Sequence, residues 1–306
     1  MRAFIFPGQG SQAVGMGAAL AGASRVAREL FQEVDEALGQ NLARLMAQGP
    51  IEELTLTENA QPAIMANALA TFRTSGIDIA KAEFVAGHSL GEYTALAAAG
   101  AFDAATTARL LKLRGQAMQR AVPVGQGAMA ALLGADLAIA QAVAEAAAQG
   151  EICTVANDND PSQVVISGHR GAVERALEIA KEKGAKRAVL LPVSAPFHSP
   201  LMEPAAREME QALADAAIAR PAVPVFANVT AAPVQDPAEI RRLLVEQVTG
   251  MVRWRESIAA MAEAGVEEFV EFGGKVLAPM VKRIAPDAKV TSVVTMNDID
   301  ALVKEI

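Results

Sequence analysis

The chain has 306 residues, 52% of them hydrophobic and 20% charged, so it has enough apolar content for a sizeable core and is not expected to be disordered. Its 27 lysines and arginines against 35 aspartates and glutamates give a net charge of −8, which argues against nucleic acid or an anionic membrane as the main partner. A single cysteine, Cys153, excludes an intramolecular disulfide and a cysteine-based metal cluster.

Short apolar runs alternate with longer helical patterns, which predicts an α/β fold with a mostly parallel sheet covered by helices. The first predicted strand, Ala3–Phe6, ends in a glycine-rich turn. The second, Glu83–Gly87, leads into a helix that begins at Leu90. A further helix is predicted over Phe102–Ala121.

Residues 123–192 follow the order β-α-β-β-α-β, which is typical of a ferredoxin-like subdomain. The segment from Asn157 to Pro161 predicts a turn between its second and third strands, because Asn, Asp and Pro favour turns. We therefore expect a small subdomain of residues 123–192 inserted into a larger one of residues 1–122 and 193–306. Its predicted elements are Ala128–Leu133, Leu137–Gln149, Ile152–Ala156, Gln163–Ser167, Ala172–Lys183 and Ala188–Leu191.

After Pro192 the pattern of the larger subdomain resumes. Helices are predicted near residues 200–215, 237–248, 255–264 and 276–284. Strands are predicted near Val223–Asn228, Glu268–Phe272 and Val290–Val293.

The segment Gly87-His88-Ser89-Leu90-Gly91 matches the G-x-S-x-G pattern of a nucleophile elbow and lies between a predicted strand and a predicted helix, as that turn requires. The turn lifts the Ser89 hydroxyl above the sheet edge, and the flanking glycines leave room for a strained backbone. The backbone N–H of Leu90 then becomes a candidate oxyanion donor. An ordinary Gly-flanked turn is the alternative.

A serine nucleophile needs a base, and the chain has three histidines. His88 is adjacent to the elbow serine, where proton transfer is awkward, so we expect it to support the turn. We expect His169 to be an exposed loop residue of the small subdomain. His198 lies in a proline-stiffened loop before a helix that Ser199 caps and Pro200 begins. His198 is therefore the best candidate base, with a structural histidine as the alternative.

Arg114 lies on the wrong face of the predicted helix Phe102–Ala121. At about 100° per residue, it falls about 40° from Leu110, in the middle of the apolar stripe, whereas the other polar side chains fall on the opposite arc. A guanidinium is costly to bury without a partner. We expect Arg114 to meet a carboxylate, either in a structural salt bridge or on a substrate near Ser89.

The loop FPGQGSQ at residues 6–12 follows the first predicted strand. It lacks the lysine of a phosphate-binding P-loop. Its glycines bracket Gln9, whose amide can point a donor into a neighbouring cleft as a second oxyanion donor. A plain turn between strand and helix is the alternative.

Several segments together resemble the malonyl-CoA:acyl-carrier-protein transacylase family across essentially the whole chain. They are FPGQGSQ at 6–12, QPA at 61–63, GHSLGEY at 87–93, RGQAM at 114–118, SAPFHSPLM at 194–202 and NVTA at 228–231. The resemblance implies an α/β-hydrolase-like large subdomain with a ferredoxin-like insertion.

The resemblance also implies roles for the candidate residues. Ser89 would carry the malonyl group as an ester, and His198 would act as base and then as acid. Arg114 would hold the malonyl carboxylate. Gln9 and the Leu90 N–H would form the oxyanion hole.

Further cleft residues come from the same resemblance. Gln247 looks like the residue whose main-chain carbonyl orients the histidine. Asn157 would line the cleft, as would His88 beside the elbow. Phe197 resembles the form that favours malonyl over methylmalonyl units. One departure is visible: Gly273-Gly274-Lys275-Val276-Leu277 lacks a residue of the family's G-x-G-K-V-L pattern.

The implied reaction is a ping-pong transfer of malonyl from malonyl-CoA to the phosphopantetheine thiol of acyl-carrier protein, supplying fatty acid synthesis without a metal or redox cofactor. A polyketide-associated acyltransferase, a serine thioesterase or hydrolase, and a catalytically silent acyl-binding module are the alternatives. Candidate basic residues for the acidic carrier are Lys181, Lys183, Lys186 and Arg187, or Lys282 and Arg283; a solvated face is the alternative for them.

The N-terminus runs from Met1 directly into Phe4, without a basic segment followed by a long apolar core. We therefore expect no signal peptide, no membrane span and a cytoplasmic location. The expected oligomeric state is a monomer, although no residue pattern fixes it.

Overall fold

Two β-sheets organise the computed structural model, which describes residues 1–193 and 195–306. Ser194, the first residue of the predicted SAPFHSPLM segment, lies outside the described residues. The strands are β1 (Arg2–Phe6), β2 (Phe84–Gly87), β3 (Gly127–Leu133), β4 (Cys153–Asp160), β5 (Gln163–His169), β6 (Arg187–Leu190), β7 (Val225–Ala227), β8 (Ala232–Val234), β9 (Glu268–Phe272) and β10 (Lys289–Val293).

Helices cover the sheets and fill the connections between strands. They are α1 (Ala18–Ala23), α2 (Arg25–Leu38), α3 (Leu42–Gln48), α4 (Ile51–Thr55), α5 (Thr57–Ser75), α6 (Leu90–Ala98), α7 (Ala104–Arg120), α8 (Leu137–Ala148), α9 (Arg170–Glu182), α10 (Glu203–Asp215), α11 (Pro237–Thr249), α12 (Trp254–Glu263), α13 (Ala278–Ile284) and α14 (Met296–Glu305). Short 3-10 turns occur at Ile79–Lys81 and Pro200–Met202. Within the described residues, none of the helices is both long and apolar enough to cross a membrane.

The larger sheet has the strand order β10-β9-β1-β2-β7-β8, and its pairs are parallel except for the antiparallel edge strand β8. Strand β1 lies between β9 and β2, with Phe6 opposite Gly87. Phe4 and Phe6 pack into one buried cluster and Ala3 and Ile5 into another, as expected for a strand covered on both faces. The predicted α/β-hydrolase-like large subdomain with a mostly parallel sheet is confirmed.

The smaller sheet is antiparallel, with the strand order β4-β5-β3-β6. Helices α8 and α9 pack on it around a separate alanine- and valine-rich cluster. This is the ferredoxin-like arrangement that the β-α-β-β-α-β order predicted. The division of the chain at residues 122/123 and 192/193 stays a prediction.

The predicted turn at Asn157–Pro161 is wrong in extent, because β4 continues to Asp160. Four successive polar residues, Asn157 to Asp160, are buried on this strand. Their burial is possible because the larger subdomain supplies partners: Val252 forms a parallel bridge with Asn157, and Asp158 pairs with Arg255 at 2.8 Å. Tertiary partners thus override a local turn preference.

Glu271 explains how the shortened glycine segment after β9 is held. Its carboxylate is fully buried and accepts hydrogen bonds of 2.9–3.0 Å from the backbone N–H groups of Val276, Leu277 and Ala278. These groups lie at the start of α13 and lack intrahelical acceptors. Gly273 has φ 80° and packs against Ala68, whose Cα would lie 2.5 Å from an added Cβ.

Candidate active site

Ser89 lies at the tight turn between β2 and α6, with the left-handed backbone angle φ 53° and ψ −111°. The turn is so compact that a Cβ added to Gly87 would lie 1.9 Å from the carbonyl carbon of Gly91. A Cβ added to Gly91 would lie 2.4 Å from the main-chain oxygen of Phe6. These two contacts explain why the elbow needs glycine on both sides of the serine. Leu90, the first residue of α6, presents a backbone N–H without an intrahelical acceptor.

His198 is within hydrogen-bond distance of the Ser89 hydroxyl, as its Nε2 lies 2.8 Å from Oγ. On the other side of the ring, Nδ1 lies 2.8 Å from the main-chain oxygen of Gln247 and 3.1 Å from that of Gly250. Both oxygens are acceptors, so Nδ1 carries the proton and Nε2 faces the serine with its lone pair. Burial and the nearby Arg114 charge lower the pKa of His198 to about 3, which leaves the ring neutral.

Arg114 reaches the same hydroxyl from α7 and is only 1% exposed. Its Nη2 donates to Ser89 Oγ at 3.1 Å and to Gln247 Oε1 at 2.8 Å, and Nη1 donates to Gln61 Oε1 at 2.7 Å. The buried Nε–H has no hydrogen-bond acceptor among the described residues. No carboxylate of the described chain forms a salt bridge with this guanidinium. The geometry thus places a cation, with no carboxylate of the described residues at salt-bridge distance, against the candidate nucleophile.

Gln247 ties these groups to a buried carboxylate. Its side-chain Nε2 donates to Glu92 Oε2 at 2.8 Å and to the main-chain oxygen of Ser89 at 3.0 Å. Asn228 also bonds to Glu92, through its backbone N–H at 3.1 Å, and its Oδ1 accepts from the Ser89 N–H at 2.8 Å. Burial raises the pKa of Glu92 to about 7, against the opposing effect of these hydrogen bonds and of the Arg114 charge.

A cavity of about 250 Å³ opens over Ser89 between the two subdomains. Gln9, Leu90, Asn157, Phe197 and His88 all line it, as does Arg114. The structure therefore brings every predicted site residue to one place, with Gln247 immediately behind the cavity wall. The functional roles of these residues stay predictions.

His88 connects the elbow to the small subdomain, because its Nε2 lies 2.7 Å from Asn159 Oδ1 on β4. Its ring also packs edge-on against Trp254. Burial lowers the pKa of His88, while the hydrogen bond to Asn159 opposes that shift.

Two local predictions about the other histidine segments are corrected. Ser199 precedes a 3-10 turn that begins at Pro200, but its hydroxyl donates to the Pro196 carbonyl at 2.7 Å rather than capping the turn. His169 is the last residue of β5 rather than a loop residue, and its Nδ1 accepts from the Ile152 N–H at 2.9 Å. For Ser199, the physical reason is that a proline-rich loop leaves main-chain carbonyls free as acceptors. The serine hydroxyl donates to one of them instead of accepting from an N–H group at the start of the turn.

The basic residues considered for carrier binding are partly engaged within the protein. Arg283 pairs with the buried Asp160 at 2.7 Å, and Lys282 donates to the Ala288 carbonyl at 2.6 Å. Lys181 pairs with Glu178 on the solvent face of α9. No group of three or more His, Cys, Asp or Glu is arranged to hold a metal ion within residues 1–193 and 195–306.

The residues that the sequence analysis missed lie behind Ser89 and His198. Glu92 and Asn228 orient Gln247 and the elbow, Gly250 adds a second carbonyl to His198, and Gln61 holds Arg114. Gln61 and Asn228 lie in the quoted segments QPA and NVTA, so the sequence contained a signal for those two. Glu92 lies in GHSLGEY, where its helical position resembles an ordinary charged first turn.

The fold, the elbow and the Ser89–His198 pair define an enzyme of the serine-nucleophile class. A family model described as an acyl transferase domain matches residues 3–285, and the chain therefore belongs to this family. It is 47% identical to the malonyl CoA-acyl carrier protein transacylase of Escherichia coli K12 over 92% of each chain. It is 44% identical to the transacylase of the same name from Bacillus subtilis 168, over 99% of this chain and 96% of that one. The crystal structure of an acyl-carrier-protein-S-malonyltransferase from Bartonella henselae superposes with a TM-score of 0.97 at 50% identity, covering 99% of this chain and 98% of that one.

Proposed function

We propose that this protein transfers the malonyl group from malonyl-CoA to the phosphopantetheine thiol of acyl-carrier protein and so supplies fatty acid synthesis. The observation that carries the proposal is the buried Arg114 guanidinium, 3.1 Å from the Ser89 hydroxyl and without a carboxylate partner in the described chain. In a malonyl ester of Ser89, the free carboxylate is only three bonds from Oγ. A guanidinium at this distance is therefore placed to bind it.

In the first half of the reaction, Ser89 Oγ attacks the thioester carbonyl while His198 Nε2 takes the hydroxyl proton. The Leu90 N–H and the Gln9 amide stabilise the oxyanion of the tetrahedral intermediate. When the intermediate collapses, the carbon–sulfur bond breaks and His198 returns the proton to the CoA thiolate. The malonyl group is then an ester on Ser89.

In the second half, the carrier thiol gives its proton to His198 and its sulfur attacks the ester carbon. The Ser89 oxygen leaves and takes the proton back from His198. These side chains account for every proton and electron pair in both halves, so we propose that no metal or redox cofactor takes part. Arg114 gives selectivity because an acetyl group would leave its buried charge unpaired.

Three further features belong to this proposal. Phe197, at the cavity wall, limits the space for a branched extender unit. Asn157 and His88 line the side of the cavity contributed by β4 and the elbow. A cytoplasmic location is part of the proposal as well, since a single cysteine is common among proteins of the reducing compartment.

Intact mass spectrometry after incubation with malonyl-CoA tests the proposal. The expected product is a malonyl adduct that maps to Ser89 and is discharged by addition of holo acyl-carrier protein, giving malonyl-carrier. Ser89→Ala should form no adduct. Release of free malonate in place of malonyl-carrier would favour a thioesterase, and failure of wild type to form any adduct would favour a silent acyl-binding module.

A further inference from the structure

A directed chain of hydrogen bonds joins Arg114 to Gln9 through two buried side chains that the reaction scheme above does not use. Arg114 Nη1 donates to Gln61 Oε1 at 2.7 Å. Gln61 Nε2 donates to Thr57 Oγ1 at 3.0 Å, and the Thr57 hydroxyl donates to Gln9 Oε1 at 3.1 Å. Thr57 is 5% exposed and Gln61 1%, so bulk water does not compete for these bonds.

The packing of α7 on α5 brings the residues of this hydrogen-bond series together. Thr57 and Gln61 are four residues apart in the first turns of α5, so their side chains meet on one face. Gly115, next to Arg114, faces the same turn: an added Cβ would lie 2.6 Å from the Glu58 Cα and 2.7 Å from the Thr57 carbonyl oxygen. Glycine thus lets α7 approach closely enough for Arg114 to reach Gln61.

This series of hydrogen bonds determines which end of the Gln9 amide faces the cavity. The Thr57 oxygen already accepts a hydrogen bond from Gln61 Nε2, so the Thr57 hydroxyl donates its own hydrogen bond to Gln9. Gln9 accepts this hydrogen bond with its Oε1, because the oxygen is the acceptor end of a primary amide. Its Nε2 donor end is then left for the cavity that Gln9 lines.

We propose that Thr57 and Gln61 are positioning residues, which orient the Gln9 amide as an oxyanion donor and connect it to the guanidinium that binds the substrate carboxylate. This inference rests on the proposed function. All bonds of the chain run in one direction from a cation, and such an arrangement polarises each successive donor. The Gln9 N–H therefore becomes a stronger donor to the oxyanion.

The proposal predicts a change in the acylation kinetics that a general loss of structure would not produce. Gln9 acts on the oxyanion, which forms with malonyl and acetyl thioesters alike. Loss of the Thr57 hydroxyl should therefore slow acylation of Ser89 by both thioesters by the same factor. The preference for malonyl should persist, because Arg114 keeps its contacts with Ser89 and Gln247.

Thr57→Val, which keeps the shape and removes the hydroxyl, is the principal variant. Single-turnover acylation of Ser89 by malonyl-CoA and by acetyl-CoA should each fall at least about tenfold, part of the roughly hundredfold to thousandfold effect of deleting an oxyanion donor. Thr57→Ser should restore the rate to within about threefold, since it keeps the hydroxyl. Thr71→Val is the matched control, because Thr71 is also buried in α5 but donates to the Asn67 carbonyl of its own helix. The acylation rate of this control should match that of the wild type.

A double-mutant cycle with Gln9→Ala decides whether Thr57 acts through Gln9. If it does, Thr57→Val adds no further loss in the Gln9→Ala background. Multiplicative losses, or a Thr57→Val protein that acylates at the wild-type rate, would overturn the proposal. A wild-type protein that forms no malonyl-Ser89 would instead refute the proposed function, so the two failures are distinguishable.

Discussion

Glu92 and Gln247 are joined by a 2.8 Å hydrogen bond directly behind Ser89 and His198. The same Gln247 holds His198 through its main-chain oxygen and Arg114 through its side-chain oxygen. One glutamine therefore connects a buried carboxylate to both the candidate base and the candidate substrate-binding cation.

Glu92→Gln is expected to remove a pH dependence of folding stability. Burial raises the pKa of Glu92 from 4.5 to about 7, so between these values the native protein holds a proton that the unfolded chain has released. The contribution of Glu92 to the free energy of unfolding should therefore fall as the pH rises through this window, by about 3 kcal/mol. Urea unfolding across the window measures the slope. Glu145→Gln, on the exposed face of α8, should keep it; identical slopes for wild type and Glu92→Gln would contradict the prediction.

Arg114→Ala should lower malonyl transfer and raise the use of acetyl-CoA relative to it. The variant removes the cation that we propose to pair with the substrate carboxylate. We therefore expect the preference for malonyl over acetyl thioesters to fall by about a hundredfold or more. Competition between the two thioesters, read by intact mass, measures the ratio. Arg120→Ala is the control, since Arg120 lies on the same helix but pairs with Glu208 at the surface. An unchanged ratio in Arg114→Ala would exclude the carboxylate-binding role.

The reactivity of Ser89 should persist well into acid. Because burial and Arg114 hold the pKa of His198 at about 3 instead of 6.5, the ring stays a neutral base as the pH falls. The rate of inactivation by an uncharged sulfonyl fluoride should be constant from pH 8 to about pH 5, where an ordinary histidine has lost most of its base form. Half-loss of the rate near pH 6.5 would show an unshifted histidine.

The same shift affects folding. Below pH 6.5, the unfolded chain binds a proton at this histidine that the native protein does not bind. The contribution of His198 to the free energy of unfolding should therefore fall as the pH drops below that value. His198→Gln should lack this part of the acid destabilisation, which urea unfolding at a series of pH values measures.

Phe197→Ala should widen the acyl end of the cavity and raise the use of methylmalonyl-CoA relative to malonyl-CoA. Phe197 lines the cavity next to His198 and packs against the core of the larger subdomain. One extra methyl group in a fitted pocket is discriminated by about tenfold to two-hundredfold, and the ratio should move by a similar factor. Competition between the two extender units tests this, with Phe84→Leu, outside the cavity, as the control. A ratio that stays at the wild-type value would show that residues other than Phe197 determine the selectivity between the two extender units.

Arg255→Met should destabilise the contact between the two subdomains. Asp158 is fully buried and pairs with Arg255, so the variant leaves a buried carboxylate without its cation. We expect a loss of roughly 1–3 kcal/mol in the free energy of unfolding, less than for a fully buried pair because Arg255 is partly exposed. The control Arg207→Met breaks an exposed pair with Glu203 and should change stability by less than about 1 kcal/mol. Equal losses for the two variants in urea unfolding would show that burial of Asp158 is unimportant.

The strongest predictions from sequence concern features that a single local sequence pattern determines. The elbow around Ser89 follows from a pentapeptide in its strand-to-helix context, and the burial of Arg114 follows from helical periodicity alone. Both depend on backbone geometry that neighbouring residues determine. The order of elements in the small subdomain followed for the same reason.

Positions that depend on distant partners were not predictable in this way. Glu92 has the appearance of a charged first-turn residue until α11 brings Gln247 against it. The Asn157–Asp160 segment favours a turn until Val252 and Arg255 are present. Residues 18–75 carry no predicted element although they form five helices. Helix α5 is buried on nearly all sides and lacks an amphipathic period, so its sequence gives no periodic signal. Helix α2 is different, because its buried Leu30, Phe31 and Val34 lie on one face and could have been recognised from the sequence.

The central place of β1 has a consequence for biosynthesis. One of its two neighbours, β9 (Glu268–Phe272), is synthesised only after strands β2 to β8. One side of β1 therefore remains without its hydrogen-bonding partner until β9 has been made, and such open edges attract non-native pairing. The nascent chain depends on protection of that edge until β9 emerges, and truncation before β9 should yield insoluble product.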